Sequence, residues 1–248
     1  MKVVVPMAGS DELFRKHGFP FAKPVVEING RPMIEHAMEC LRPIEDAEFV
    51  FVVRKEDDLR FYLREVLQLL DPTCTIIRTD GETAGAACTA LLAVDHMMND
   101  EELVIANADQ ILAFDVRDAI ASFRARDLDA GTVVFESVHP RWSFVKTDDR
   151  GYVVEAAEKR PVSRNATAGF YYFRRGRDFV EAAQAMILKG GDVNGGFFVC
   201  PTFNELILAQ KKIGIHPISR EQYISLATPQ ALEEYEQGLI AQKRGAVA

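Results

Sequence analysis

The sequence predicts an α/β fold in which a mostly parallel sheet is flanked by helices. Short apolar runs alternate with amphipathic helical patterns from residue 2 to residue 106. The first run, residues 3–5, is continuously apolar, which is typical of a parallel strand buried on both faces. Apolar residues make up 48% of the 248-residue chain, enough for the core of one large domain or of one domain with a small lobe.

The first half alternates strand and helix in the order that right-handed crossovers require. We predict a helix that has Pro32 in its first turn and stops at Pro43; its apolar face consists of Met33, Ile34, Ala37, Met38 and Leu41. A second helix is expected to have Asp57 as its cap and an apolar face of Leu59, Tyr62, Leu63, Val66 and Leu70. The remaining predictions are strands at 2–6, 48–53, 75–78 and 102–106, and a helix at 86–98.

The second half changes to short strands with turn signals between them. We predict helices at 115–126, 179–188, 203–211 and 230–242, and strands at 132–136, 143–146, 152–156 and 168–173. The chain is therefore expected to be a single domain with two halves, 1–112 and 113–248. Ligands of such sheets bind outside the carboxyl ends of the strands, where the loops after the first, third and fourth strands should converge.

Composition and charge exclude several classes of partner. The net charge of −8 argues against nucleic acid or an anionic membrane surface as the main partner. No apolar run approaches the roughly 20 residues of a membrane helix, and the chain enters a strand without a targeting signal. The four cysteines lie far apart and form no CxxC pair, as in reduced proteins. These features favour a cytoplasmic protein.

Two segments near the start could form a phosphate site. Ala8, Gly9 and Ser10 follow the first strand, and small residues let backbone amides approach phosphate oxygens closely. A plain tight turn explains the same loop equally well. Lys23 precedes Pro24 and should be held by an extended backbone, from which it could neutralise charge on a transferring phosphoryl group. Taken alone, it reads as a surface lysine.

Three later segments carry further candidate site residues. Small residues between Gly81 and Ala87, at the start of a helix, leave room for a flat nucleotide base, and their backbone amides could bind its edges. Close packing of the helix on the sheet explains the same residues equally well. Asp109 follows a buried strand at the ligand edge of the sheet, where a carboxylate can hold Mg²⁺ against nucleotide phosphates or simply cap a turn. Glu158 and Lys159 form a charged pair that could hold an anionic second substrate or belong to an ordinary charged turn.

Together and in this order, the five segments resemble the sugar-phosphate nucleotidyltransferase (pyrophosphorylase) superfamily. The likeness spans almost the whole chain and is strongest to a bacterial branch linked to capsular polysaccharide synthesis, often labelled family-2 glycosyltransferase. The segments that resemble this branch are 85–89, 105–110, 158–159 with 168–171, 199–201 with 204–205, and 228–229.

The resemblance implies a Rossmann-like sheet of the glycosyltransferase-A type with a small substrate lobe. It also implies transfer of a nucleotidyl group from a nucleoside triphosphate to a phosphorylated sugar or similar metabolite, with Mg²⁺ and release of pyrophosphate. Whether the protein forms a homo-oligomer stays open. The implied site residues are Ala8, Gly9, Ser10, Thr83, Gly85, Ala86, Ala87 and Asn107 for the nucleotide, Lys23 and Asp109 for catalysis, Asp109 for the metal, and Glu158, Lys159 and Gly169 for the second substrate.

The chemistry of this reaction agrees with the residues that the chain lacks. A phosphate monoester has a second pKa of about 6, so it is mostly ionised at neutral pH and attacks without a general base. Catalysis then consists of positioning and charge neutralisation. An obvious nucleophile–base pair is accordingly absent from the sequence, and the five histidines show no metal-binding spacing.

The chain departs from the family pattern at three positions. Asp11 stands at the second glycine of the signature loop and Leu13 at its arginine, so the sequence predicts a negative charge where phosphates should lie; Arg15 or Lys16 could compensate. Gly196 replaces an acid of the related branch, and Asp192 is the nearest substitute. These departures keep open a non-catalytic homologue that binds a nucleotide or sugar nucleotide. A second alternative is a glycosyltransferase on the same fold, in which residues 107–109 would clamp a diphosphate and its metal.

Overall fold

The computed structural model describes residues 1–245, which form an α/β fold. The strands are β1 (Lys2–Met7), β2 (Glu27–Ile28), β3 (Arg31–Pro32), β4 (Glu48–Arg54), β5 (Thr75–Thr79), β6 (Leu103–Ala106), β7 (Gln110–Leu112), β8 (Ala130–Glu136), β9 (Ser143–Thr147), β10 (Val153–Glu158), β11 (Asn165–Phe173), β12 (Ile213–Pro217) and β13 (Tyr223–Ser225). The helices are α1 (Glu12–Lys16), α2 (Met33–Leu41), α3 (Lys55–Phe61), α4 (Leu63–Leu70), α5 (Ala86–Leu91), α6 (Val94–Met97), α7 (Val116–Ala125), α8 (Gly176–Leu188), α9 (Thr202–Leu208) and α10 (Pro229–Gly245).

A nine-stranded mixed sheet runs through both halves of the chain. Its main path has the order β10-β9-β11-β6-β1-β4-β5, and β8 joins β11 to β12. The four strands that the first half contributes to this sheet, β1, β4, β5 and β6, are parallel to one another, which confirms the predicted fold class. Strand β11 from the second half pairs antiparallel with β6, so both predicted halves contribute to one sheet. The division of the chain at residue 112 stays a prediction.

Alternating side chains of the central strand build apolar layers on both faces of the sheet. Val3 and Val5 belong to the cluster that includes Phe123 of α7, whereas Val4 belongs to the opposite cluster with Phe179 of α8. All five of these side chains are buried. Covering both faces with helices leaves the loops at the carboxyl ends of the strands as the place for a ligand.

The helix predicted around Asp57 is wrong in detail. Tyr62 adopts a left-handed conformation with φ of 53° and divides the segment into α3 and α4. Its side chain and that of Leu59 are exposed, so neither joins the predicted apolar face. Arg54, not Asp57, is the N-cap residue, and Asp57 lies in the first turn of α3. Interaction between Arg54 and Asp57 replaces side-chain capping at this helix start.

Several short elements carry too little periodicity to be predicted. These are helix α1 and strands β7, β12 and β13. Strand β13 pairs with β7 and thereby brings the segment before α10 back to the carboxyl end of β6. No helix between residues 1 and 245 combines the length and the apolar character that a membrane span requires.

Candidate functional site

A cavity of about 330 Å³ opens at the carboxyl ends of the parallel strands and is lined by residues from both halves of the chain. This volume lies within the range of small-ligand sites. The predicted site residues that line it are Gly9, Ser10, Lys23, Ala86, Asn107, Asp109, Glu158 and Gly169. The expected convergence is observed for the loops after β1 and β6, whereas residues 80–85 after β5 do not line the cavity.

The other predicted site residues lie behind the cavity wall or beside it. The side chains of Ala8 and Ala87 are fully buried. Thr83 donates through its hydroxyl to the carbonyl of Gly85 at 3.2 Å and supports the turn before α5. The Lys159 ammonium lies 5.1 Å from the centre of the Phe198 ring. None of these four residues, nor Gly85, is among the lining residues of the cavity.

Lys23 and Asp109 form an ion pair inside the cavity. The Lys23 ammonium donates to the carboxylate of Asp109, and about one-fifth of each side chain is exposed. Contrary to the predicted extended backbone, Lys23 opens a short 3₁₀ helix. Pro24 is tolerated there because an N–H at the start of a helix has no helical partner. The cavity thus presents a cation and a carboxylate side by side.

The donor set of the cavity fits Mg²⁺ held through one carboxylate and the substrate's own phosphate oxygens. Asp109 supplies that carboxylate. Among residues 1–245, no group of three or more histidine, cysteine or acidic side chains could hold a metal without a substrate. Asp192 does not line the cavity, and its carboxylate accepts a bond from the amide of Gly195 at 2.8 Å. The suggested substitution of Asp192 for an acid at position 196 is therefore not supported by the geometry.

Asp11 does not present the unbalanced charge that the sequence predicts. Its carboxylate accepts a bond from the guanidinium of Arg54 and is only 5% exposed, at the cavity wall. Burial raises the pKa of Asp11 and the Asp57 charge adds to this, whereas the charges of Arg54 and Lys23 oppose it. The sequence analysis missed Arg54. Its position at the end of β4, the strand beside β1, was the one feature that could have indicated it.

The two cations that were expected to replace the signature arginine do not reach the cavity. Lys16 pairs with Glu12 at 2.7 Å on the exposed face of α1, and neither Arg15 nor Lys16 is a lining residue. Leu13 is 44% exposed and lies outside the lining as well. Arg54 is thus the cation that contacts the signature loop.

Gly169 shapes the loop that carries Asn107 and Asp109. It has φ of +58°. Its carbonyl accepts hydrogen bonds from the backbone N–H of Asn107 and from the side-chain amide of Gln110, each at 3.0 Å. A Cβ atom on Gly169 would lie 2.8 Å from Cγ of Asn107, too close for real contact. Glycine therefore lets β11 approach this loop without displacing the side chains of Asn107 and Gln110.

The second half supplies an aromatic wall with charged groups. Tyr223 packs against Trp142 with ring centres 5.4 Å apart, and the Arg141 guanidinium lies 4.2 Å from the Trp142 ring centre. All three residues line the cavity, and the sequence analysis missed them because they belong to no motif. Trp142 is the one tryptophan of the sequence, which was the only signal available.

Glu158 is a buried carboxylate in the same wall. It accepts a bond from the Ser143 hydroxyl, and burial raises its pKa, although Ser143 and the charge of Lys159 oppose the effect. A raised carboxyl pKa means that ionisation costs stability once the pH rises above the usual value near 4.5. The position therefore holds a charge that folding alone does not favour.

Replacing Glu158 by Gln is expected to stabilise the fold at pH 7.5. The amide keeps an acceptor for Ser143 and removes the buried charge. Since the folded carboxyl binds its proton more tightly than the unfolded one, the gain should shrink as the pH falls to 4, where wild-type Glu158 is protonated. Thermal unfolding of both proteins at the two pH values checks this prediction. It is contradicted if the melting temperature of the variant minus that of the wild type is lower at pH 7.5 than at pH 4.

The comparisons with known proteins agree with this geometry. Residues 19–191 match the family model described as nucleotidyl transferase, which is well over half of the chain. The chain belongs to the nucleotidyl transferase family. The predicted family resemblance is thereby confirmed, and the match begins after the departing loop that contains Asp11 and Leu13.

Two relatives and one solved structure show how far the likeness to this nucleotidyl transferase extends. The bifunctional protein GlmU of Methanocaldococcus jannaschii is 26% identical over 70% of this chain, and the match covers 40% of GlmU. The UTP–glucose-1-phosphate uridylyltransferase AglF of Haloferax volcanii is 27% identical over 70% of this chain, and the match covers 72% of AglF. The crystal structure of a nucleoside-diphosphate-sugar pyrophosphorylase from Vibrio cholerae superposes with a TM-score of 0.84 and 26% identity, covering 95% of this chain and 99% of that one.

Proposed function

We propose that the protein transfers a nucleotidyl group from a nucleoside triphosphate to a phosphorylated sugar and releases pyrophosphate. The observation that carries this proposal is the Lys23–Asp109 pair, which lies in a cavity between the loop after β1 and the wall of the second half. A cation and a metal-binding carboxylate side by side are what phosphoryl transfer needs, because its catalysis consists mainly of positioning and charge neutralisation.

The loop after β1 is proposed to hold the triphosphate. Gly9 has an ordinary φ, and nothing lies within 4 Å of the place where a Cβ would stand. The fold itself therefore does not require glycine there, and the open space suits phosphate oxygens next to the backbone. Ala8 and Ser10 flank that space. The nucleoside would then lie along the start of α5, near Thr83, Gly85, Ala86, Ala87 and Asn107.

The proposed reaction joins the two substrates at the α-phosphorus. A bound Mg²⁺, held by Asp109, would withdraw electron density from the triphosphate. An oxygen of the sugar phosphate attacks the α-phosphorus, the bond to the β-phosphate breaks, and pyrophosphate leaves with the electron pair. Lys23 holds its positive charge against the oxygens that become more negative during transfer. The attacking phosphate is already ionised, so no residue has to remove a proton.

The aromatic wall is proposed to hold the sugar phosphate. Glu158 can accept bonds from sugar hydroxyls, while Lys159 and Arg141 can meet the phosphate. Gly169, which lines the same cavity, would lie beside the sugar. AglF, whose name gives glucose 1-phosphate as its substrate, supports a sugar 1-phosphate as the acceptor. We further propose a cytoplasmic enzyme, as a monomer or a homo-oligomer, that supplies activated sugars for surface or capsular polysaccharide.

A screen for pyrophosphate release tests the proposal. The protein is incubated with each common nucleoside triphosphate and a panel of sugar 1-phosphates, with Mg²⁺ or with a chelator. We expect Mg²⁺-dependent pyrophosphate and an equimolar sugar nucleotide for at least one pair. A folded sample that releases none with any pair would overturn the proposal. Release of a nucleoside diphosphate or monophosphate from a sugar nucleotide would point to a glycosyltransferase instead.

One observation favours a binding-only homologue as second candidate. Asp11 lines the cavity in the loop that would meet the triphosphate, and Leu13 brings no charge to it. For this candidate, a triphosphate or sugar nucleotide would raise the melting temperature because it binds only the folded state, and pyrophosphate release would stay absent. Measurable turnover by the wild-type protein excludes it.

Replacing Gly9 by Ala is expected to raise the KM for the triphosphate about tenfold, equal to about 1.4 kcal/mol of binding. The new methyl group fills the open space beside the loop, while the ordinary φ leaves the fold unstrained. Gly238→Ala is the matched control, since that glycine also has nothing within 4 Å and lies on α10. Steady-state kinetics and melting temperatures check both variants, and an unchanged KM for Gly9→Ala would contradict the assignment.

A further inference from the structure

Arg54 connects the end of β4 to the loop after β1. Strand β4 runs parallel to β1 with Met7 opposite Val53, so the next residue, Arg54, lies beside that loop. Its guanidinium donates through Nη2 to Asp11 and through Nε to Asp57 at 2.6 Å. The remaining nitrogen reaches Glu82 at 3.3 Å. One arginine thus binds carboxylates from three separate segments.

The start of α8 shows which part of this arrangement is ordinary. There, Arg175 is the N-cap residue, and it binds Asp178 in the first turn at 3.0 Å and 3.1 Å. Arg54 and Asp57 have the same spacing and the same place at the start of α3. Fixing a helix start therefore accounts for Asp57 and leaves the contact with Asp11 unexplained.

Asp11 and Arg54 are both largely buried, so a phosphate site beside Asp11 requires a partner for its carboxylate. The Asp11 side chain is 7% exposed and that of Arg54 is 11% exposed, so water screens their charges weakly. An unpaired carboxylate at this place would repel a triphosphate in the cavity that Asp11 lines. A guanidinium that bridges two carboxylates is fixed in direction, which an ammonium group cannot reproduce.

We propose that Arg54 is a positioning residue for triphosphate binding: through Asp11 it fixes the phosphate loop, residues 8–13, and it reduces the repulsion between the Asp11 carboxylate and the phosphates. The proposal rests on the proposed function of the cavity. In this role Arg54 offsets the charge of Asp11 and does not itself supply the charge that Leu13 lacks. It acts from behind the loop, since Arg54 itself is not among the residues that line the cavity.

The test compares Arg54→Met with the double variant Arg54→Met/Asp11→Asn. Removing Arg54 should raise the KM for the triphosphate about tenfold or more and leave the KM for the sugar phosphate within about threefold. Removing the Asp11 charge as well should bring the KM for the triphosphate back toward the wild-type value, because the effects of two residues in contact are coupled. A role only in folding would lower stability without this selective rescue.

Arg175→Met is the matched control, because it breaks the same contact at a helix start far from the cavity. It should lower the melting temperature and leave both KM values unchanged. The proposal is overturned if Arg54→Met leaves the KM for the triphosphate at the wild-type value, or if Asp11→Asn fails to restore it. Should Arg54→Met not fold, Arg54→Lys against Arg175→Lys gives the same comparison, because lysine cannot bridge Asp11 and Asp57.

A parallel measurement separates this inference from the proposed function. Calorimetric titration of the same variants with a nucleoside triphosphate and Mg²⁺ gives affinity without turnover. If the wild-type protein binds the triphosphate but releases no pyrophosphate, the proposed function fails and the affinities of the variants still decide the role of Arg54. If the wild-type protein neither binds nor reacts, both are overturned.

Discussion

Lys23→Met is expected to lower kcat for pyrophosphate release by about 10²–10³-fold, as the loss of one charge-stabilising donor does in other enzymes. The Lys23 ammonium lies inside the cavity next to Asp109, where it can meet the oxygens of the transferring phosphate. Each side chain of the pair is more than three-quarters buried, so the loss of the contact should also cost more stability than the roughly 1 kcal/mol of a surface ion pair. Single-turnover measurements at saturating substrate give the decrease in the chemical step.

Lys16→Met is the control for this prediction. Lys16 lies in the same segment of the chain, pairs with Glu12 at 2.7 Å on the surface, and does not line the cavity. Its kcat should equal that of the wild-type protein. If Lys23→Met retained a kcat within about threefold of that of the control, Lys23 would not carry the charge neutralisation assigned to it.

Gly85→Ala should unfold the protein more easily by about 3 kcal/mol or more, because strain and a backbone clash act together. Gly85 has φ of +103°, and an added Cβ would lie 2.7 Å from the amide nitrogen of Phe197. Relieving that clash would disturb two backbone bonds, from Phe197 to the Ala84 carbonyl at 2.8 Å and from Ala87 to the Phe197 carbonyl at 3.1 Å. Equilibrium denaturation measures the loss.

Gly81→Ala separates the two causes. Gly81 lies in the same loop with φ of +80°, but nothing lies within 4 Å of the place for its Cβ. This variant should lose only the 1–2 kcal/mol or so that a left-handed conformation costs an alanine. Equal losses for both variants would mean that the contact with Phe197 contributes nothing beyond strain.

Local sequence patterns were enough to predict the elements of the sheet. The apolar run at residues 3–5 indicated a strand buried on both faces, and β1 has that environment. The break at Tyr62 was not predictable in the same way. Its spacing suits one continuous apolar helix face, and the left-handed conformation depends on how α3 and α4 pack in the folded chain. Tertiary contacts override helical periodicity at such positions.

The candidate site was predictable where a residue lies just beyond the end of a buried strand. Asp109 is three residues past the end of β6, and the cavity was expected and found there. Arg54 and Asp11 are 43 residues apart, and only the pairing of β4 with β1 brings them together. Arg141 and Trp142 come from a loop of the second half without a motif, so nothing in their spacing indicated a role.

The antiparallel pairing of β11 with β6 has a consequence for any attempt to cut the chain at residue 112. Strand β6 is completely buried, and its neighbour on one side comes from beyond that point. A fragment that ends there would carry an unprotected strand edge, which favours aggregation. Because the two halves share one continuous sheet, they are not separately exchangeable modules.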